Sequence, residues 1–355
     1  MKKRFTVVGF VCVLLMSALT IVGCKKDKED DDAVNFDKAS LLSNLADNVI
    51  LPALNDFSSK IDDLESSYSV FQLDRTAPNL EDVRTKWKAA YLSWQAVKIF
   101  DFGPIRDYGF KASTGTYPTD TVKIDNNVTN GGYNLATAAN VDAIGLSSLD
   151  YFLYRIDALN YFVGNDPYTT YANDVIQKLK SETTAVVSAW NSYRSTFVSS
   201  TGTESTSAFS LLVNEFCRDY ELAKNSKLGI PLGKQSLGIQ LPEYIEARRS
   251  GFSLEIQKAS VTSLANVFNG GSGVGFDDYL VNLERSSLAS SISTRFSEIG
   301  SKINSFSGTL EQEMENNTTE LDNLYLLFQG QVVSLKTDMS SAFGVLITYQ
   351  DNDGD

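Results

Sequence analysis

The chain has 355 residues, 43% of them hydrophobic, with 31 Lys and Arg against 44 Asp and Glu for a formal net charge of −13, and it contains no histidine. The missing imidazole excludes zinc proteases of the HExxH type, Ser-His and Cys-His nucleophilic triads, and His-ligated haem. The acidic balance argues against nucleic acid as a partner and equally against anionic lipid headgroups, since both require a basic footprint.

At the N-terminus, Lys2, Lys3 and Arg4 precede an apolar run from Phe5 to Val22 that ends in Ile21-Val22-Gly23-Cys24. A basic start, a short apolar stretch and a small residue before a cysteine predict a bacterial lipoprotein signal over residues 1–23, with cleavage before Cys24 and lipidation of its thiol. A membrane-spanning helix would not need Gly23-Cys24 at its end, followed at once by the charged residues 25–32. Residues 24–35 then form a flexible charged tether. A Lys and acidic run at that place fits a signal for export to the outer cell surface and a plain solvated spacer equally well. The expected location is the bacterial envelope, anchored in outer-membrane lipid through Cys24, on its periplasmic or its surface-exposed side. Loss of Lys2, Lys3 and Arg4 with the signal takes the formal charge from −13 to −16. Cys12 leaves with the signal and Cys24 carries lipid, so Cys217 stands alone and no internal disulfide forms.

The mature chain is long enough for a large core, and its apolar spacing is helical almost throughout. Between Phe36 and Tyr68 the stripe is Leu42, Leu45, Val49, Leu54, Phe57, Ile61 and Leu64; between Leu80 and Phe100 it is Val83, Trp87, Tyr91, Trp94, Val97 and Phe100. Near the C-terminus Leu321, Leu324, Phe328, Val332, Leu335, Met339, Phe343 and Leu346 keep a spacing of three or four that a strand could not use. These stripes read as core. Gly and Pro gather at Gly103-Pro104 through Gly131-Gly132 and at Leu228 to Pro242, while Ser199 to Ser207 has linker composition. The fold class is therefore all-α, with helical-bundle halves at 36–200 and 201–350 and an acidic tail at 351–355. That tail, Asp351-Asn352-Asp353-Gly354-Asp355, mimics the start of a calcium loop but lacks its remainder. Lys98 to Ile105 ends one helix much as Lys224 to Pro231 ends another, and a charged helix is expected after each, at Gly145 to Ile156 and at Glu243 to Ile256. This pattern suggests an internal duplication, with chance similarity of helix ends as the alternative.

Several separated segments carry a family resemblance. Trp87-Lys88-Ala89-Ala90-Tyr91-Leu92-Ser93-Trp94-Gln95-Ala96-Val97, leading to Phe100-Asp101-Phe102-Gly103-Pro104, is similar to the first half of the imelysin family. Glu221 to Lys234, Pro242 to Ala247 and Ser250 to Glu255 resemble its second half. The resemblance implies an all-helical, exported protein of two bundle-like halves. The family takes its name from an insulin-cleaving metalloprotease, and some relatives are associated with iron or haem uptake. Its signature, GxHxxE on a helix, places a histidine and a carboxylate on one face, as a metal site would want.

The matching segment here is Gly145-Leu146-Ser147-Ser148-Leu149-Asp150, with Ser147 in place of His and Asp150 in place of Glu. Serine is a poor neutral metal ligand, so metallopeptidase activity becomes the alternative rather than the leading expectation. A binding or accessory role is favoured, with a structural envelope protein without ligand as a third reading. The expected cleft is lined by Ser147, Asp150, Glu246, Arg249, the Gly103-Pro104 loop and the loop from Gly229 to Gly233; its ligand would be iron, an iron chelate, haem or a peptide. Asp150 with Glu246 or Glu221 would make an oxygen-only site for calcium or iron. The structural alternative pairs Asp150 with Arg155, Arg248 or Arg249. Tyr108, Tyr151 and Tyr154 are candidate haem or sugar contacts, against a role in the core. Arg106, Arg248 and Arg249 are candidate carboxylate or phosphate clamps, against ion pairs with Asp107, Glu246 or Glu243.

Overall fold

The computed structural model describes residues 36–349. The lipoprotein signal, Cys24, the tether and the acidic tail at 351–355 lie outside the described residues. Within them the chain forms helices and turns, with no strand.

Asp37 opens α1 (Lys38–Leu45) by accepting the Ser40 N–H at 3.0 Å, satisfying one of the donors that a helix start leaves unpaired. A π-turn at Ala46–Ile50 leads into α2 (Leu51–Leu73), and after a three-residue break α3 (Ala77–Val97) starts with Pro78 in its first turn, where no helical bond is lost. The Gly- and Pro-rich stretch after residue 103 is less irregular than its composition suggests. It holds α4 (Pro104–Asp107), α5 (Phe110–Gly115) and α6 (Thr121–Asn130). Then come α7 (Gly145–Tyr154), α8 (Ala158–Gly164) and the long α9 (Asp166–Ser199), whose start is capped by Asn165 accepting the Tyr168 N–H at 3.1 Å.

The linker-like residues after Ser199 form the loop to α10 (Ala208–Lys224), which ends in a π-turn at Asn225–Gly229. Beyond it lie α11 (Ser253–Phe268), α12 (Phe276–Asn282), α13 (Ser286–Asn304), α14 (Leu310–Asn316), α15 (Thr318–Val333), a π-turn at Ser334–Met339 and α16 (Ser340–Ala342). The expected helix from Glu243 to Ile256 is not formed before Ser253. Residues 245–252 turn instead, with Ala247 at φ +51° and Gly251 at φ +67°. The C-terminal stripe ends at Phe343, because Gly344 takes φ +67° and stops the helix, and Leu346 is exposed.

In the first half α2 packs against α3 and α9; in the second α13 packs against α11 and α15, and α10 against α11 and α15. The seam is α11, which lies on α3 as well as on α13. One continuous core crosses it, and Trp87, Trp94 and Trp190 are all buried there. The described residues on both sides of α11 thus belong to one compact unit.

Candidate functional site

The signature segment is α7, and its glycine has a steric reason. Gly145 has φ +80°, and a Cβ there would lie 2.5 Å from the Thr114 carbonyl oxygen and 2.6 Å from that of Ser113. Only glycine lets α7 begin this close to α5. The indole N–H of Trp87 on α3 donates to the Leu146 carbonyl at 2.9 Å and fixes the rotation of the helix. Ser148 then donates back to the Gly145 carbonyl, while Ser147 and Asp150, three residues apart, share the face turned toward the second half.

Asp150 does not pair with a guanidinium. Its two oxygens accept the backbone N–H groups of Arg249, at 3.1 Å, and Ser250, at 3.0 Å. It thereby ties α7 to the turn that follows Ala247. Burial raises its pKa, against the lowering effect of Ser250 and the Arg249 and Ser250 N–H groups. Ser147 lies 3.1 Å from the Tyr91 hydroxyl, which donates to Glu246 at 3.1 Å, and Glu246 also accepts from Lys227. The result is a buried polar chain from Ser147 through Tyr91 and Glu246 to Lys227. Burial, with Glu246 beside it, holds the Tyr91 hydroxyl well above its ordinary pKa, so it remains a donor.

Two cavities flank this chain. The larger, about 990 Å³, is lined by Ser147 and Asp150 together with Tyr151, Tyr154, Tyr161, Tyr244, Arg155, Arg248 and Arg249. The smaller, about 350 Å³, is lined by Glu246, Lys98, Lys111, Lys227 and Asp219, with Trp94, Leu222 and Ile230 among its apolar walls. Tyr117, Pro118 and Tyr244 border both. The single cleft expected from the sequence is therefore divided: Ser147, Asp150 and Arg249 face one cavity and Glu246 faces the other. Gly103 and Pro104 line neither, because Gly103 lies against the ring of Tyr193 on α9. Of the 229–233 loop, Ile230 reaches the smaller cavity. Glu221 is turned away, with Lys336 at 3.2 Å.

The donor set at α7 does not suit a protein-ligated metal. Both oxygens of Asp150 take backbone N–H groups, Glu246 is held by Tyr91 and Lys227, and no group of three or more Cys, Asp or Glu side chains among the described residues is placed to hold an ion. The larger cavity is instead aromatic and mixed in charge, with Arg155, Arg248 and Arg249 on its wall beside Asp150, Asp157, Glu243 and Glu311. The Arg155 guanidinium stacks 3.4 Å from the Tyr161 ring centre, and Arg249 lies 4.8 Å from that of Tyr151. Arg248 is engaged with Glu311 in two hydrogen bonds, and Arg106 pairs with Glu215 away from the cavity. Arg249 has no carboxylate within ion-pair distance among the described residues. Tyr154 and Thr119 line the cavity, while their hydroxyl oxygens are buried behind its wall with no hydrogen-bond partner within the described protein. Tyr108 is exposed and lines neither cavity.

Sequence reasoning did not single out Lys98, Lys111 or Asp219. Lys98 Nζ lies 2.5 Å from Asp219 Oδ2, and Lys111 Nζ 3.3 Å from Oδ1. Burial works against the Asp219 charge, yet Lys98 and Lys111 hold its pKa below the usual range; burial pushes Lys98 down from 10.5 to about 8. Between those two pH values the unfolded chain holds the Lys98 proton and the folded chain does not, so this group's contribution to stability rises with pH across the window and is lost as pH falls through about 8. Denaturation of wild type and Lys98→Met over this range should show wild type gaining on the variant from pH 8 upward. A difference that does not vary with pH would contradict the assignment.

An all-helical protein with an aromatic, arginine-bearing cleft between α7 and the turn that follows Ala247 is the class that fold and site define. The Imelysin family model matches residues 50–327, and the chain belongs to that family. An imelysin-like protein from Psychrobacter arcticum has the same fold, with a TM-score of 0.75 at 17% identity over 90% of this chain and 99% of that one. A protein from Parabacteroides distasonis, described as an iron-regulated protein A precursor, gives a TM-score of 0.74 at 14% identity over 86% of this chain and 95% of its own. Iron-regulated protein A of Synechococcus elongatus is 30% identical over 79 residues; the match spans 22% of each protein.

Proposed function

We propose that this chain is a binding or accessory protein of iron acquisition, and that the larger cavity takes an anionic, iron-bearing small molecule such as a ferric carboxylate chelate or haem. The observation that carries the reading is Arg249, which faces the cavity over the Tyr151 ring with no carboxylate within ion-pair distance among the described residues. Guanidinium groups over aromatic faces suit a planar anion. Asp150 and Glu246 are committed to the protein itself, which favours metal delivered already chelated. Two similar proteins carry names that refer to iron regulation, in keeping with this role.

We also read the protein as an outer-membrane lipoprotein anchored through Cys24, as its N-terminal sequence suggests; no helix among the described residues is long and apolar enough to cross a membrane. The two halves are read as copies of one ancestral unit, on the similarity between Lys98 to Ile105 and Lys224 to Pro231 at helix ends.

Titration of the purified protein with ferric citrate and with haem tests the function. At least one should bind, and Arg249→Ala should weaken it by roughly tenfold or more, the effect of losing a charge-assisted contact of about 1.5–3 kcal/mol. Equal affinity in the variant, or no binding of either, would contradict it.

A further inference from the structure

The smaller cavity has a charge pattern that the reading above does not use. Three lysines converge on it, Lys98 and Lys227 buried and Lys111 half-buried, in a protein whose net charge is −13. Only two carboxylates face them there, Asp219 shared by Lys98 and Lys111, and Glu246 held by Lys227. Each ammonium has three N–H donors and gives one to these carboxylates, so the lining holds three ammonium groups against two carboxylates and keeps several donors to spare, with Glu215, outside the lining, as a further counter-charge to Lys111. A carboxylate entering the cavity would take up those spare donors and balance the lining. Trp94, Leu222 and Ile230 give the cavity an apolar wall, beside Thr116, Tyr117, Ser226 and Tyr244, that suits the apolar body of an organic anion.

From this juxtaposition we propose that the smaller cavity binds a small organic carboxylate, its head on Lys98, Lys111 and Lys227 and its apolar body against Trp94, Leu222 and Ile230. The site is separate from the larger cavity and does not depend on what that cavity holds.

Calorimetric titration of the purified protein with benzoate, benzamide and inorganic phosphate tests the proposal. Benzoate should bind and its neutral isostere benzamide should not. Lys98→Met should weaken benzoate at least tenfold. Ser226→Leu, which adds bulk to the cavity wall without removing a lysine, should abolish binding while circular dichroism shows the fold retained, and it decides the matter if Lys98→Met does not fold. Arg249→Ala, which lines only the larger cavity, should leave benzoate affinity unchanged. The proposal is overturned if benzoate fails to bind at millimolar concentration, if benzamide binds as well, if phosphate binds in place of benzoate, or if Ser226→Leu binds like wild type.

Discussion

Replacing Lys227 by methionine is expected to destabilise the protein by about 3–5 kcal/mol, the range for removing one partner of a buried ion pair. Lys227 and Glu246 are both buried, and the variant leaves the Glu246 charge with only the Tyr91 hydroxyl as a donor. The loss arises from a stranded charge rather than from a missing attraction, so a second change should recover much of it. Lys227→Met with Glu246→Gln removes the charge and keeps an acceptor for Tyr91. Lys227→Met with Glu246→Leu should recover less, because Tyr91 loses its charged acceptor and keeps only Ser147 as a partner. Chemical denaturation of the three variants checks the order. A single variant within about 1 kcal/mol of wild type would mean that the pair is not desolvated as described.

Gly145→Ala should be nearly as damaging. The φ of +80° disfavours any side chain, by about 1–3 kcal/mol, and the new methyl meets the backbone carbonyls of Thr114 and Ser113, which cannot move aside as a flexible side chain would. The strain falls on the junction of α5 and α7, so α7 is expected to shift and loosen the Trp87 to Leu146 and Asp150 to Arg249 hydrogen bonds. Lower stability together with weakened ligand binding is the expected outcome. An alanine variant as stable as wild type would remove the steric account of the signature glycine.

The helices were legible wherever their packing is one-sided. Val83, Trp87, Tyr91 and Trp94 repeat at the helical period because α3 buries one stripe against α2 and α11. The same pattern extended the last helix too far, although Gly344 is the stop signal that could have bounded it. Residues 243–252 carry a helix-like mixture of charged and apolar residues, yet they turn, because their hydrogen bonding is decided by Asp150, about a hundred residues away. The signature segment could be located by its order among other motifs, but how Asp150 is used could not. A carboxylate accepting backbone N–H groups looks in sequence like one held by an arginine. Lys98 and Asp219, 121 residues apart, left no local trace of their pairing. Buried lysines of this kind are recognisable only once the helices that carry them are packed.

The most direct test of the central claim is a crystal structure of the protein soaked in ferric citrate and in haem, with an anomalous difference map at the iron edge. The account predicts iron in the 990 Å³ cavity, its chelating groups on Arg249 and over the ring of Tyr151. Iron bound elsewhere, or directly on Asp150 with its backbone bonds to Arg249 and Ser250 broken, would contradict it.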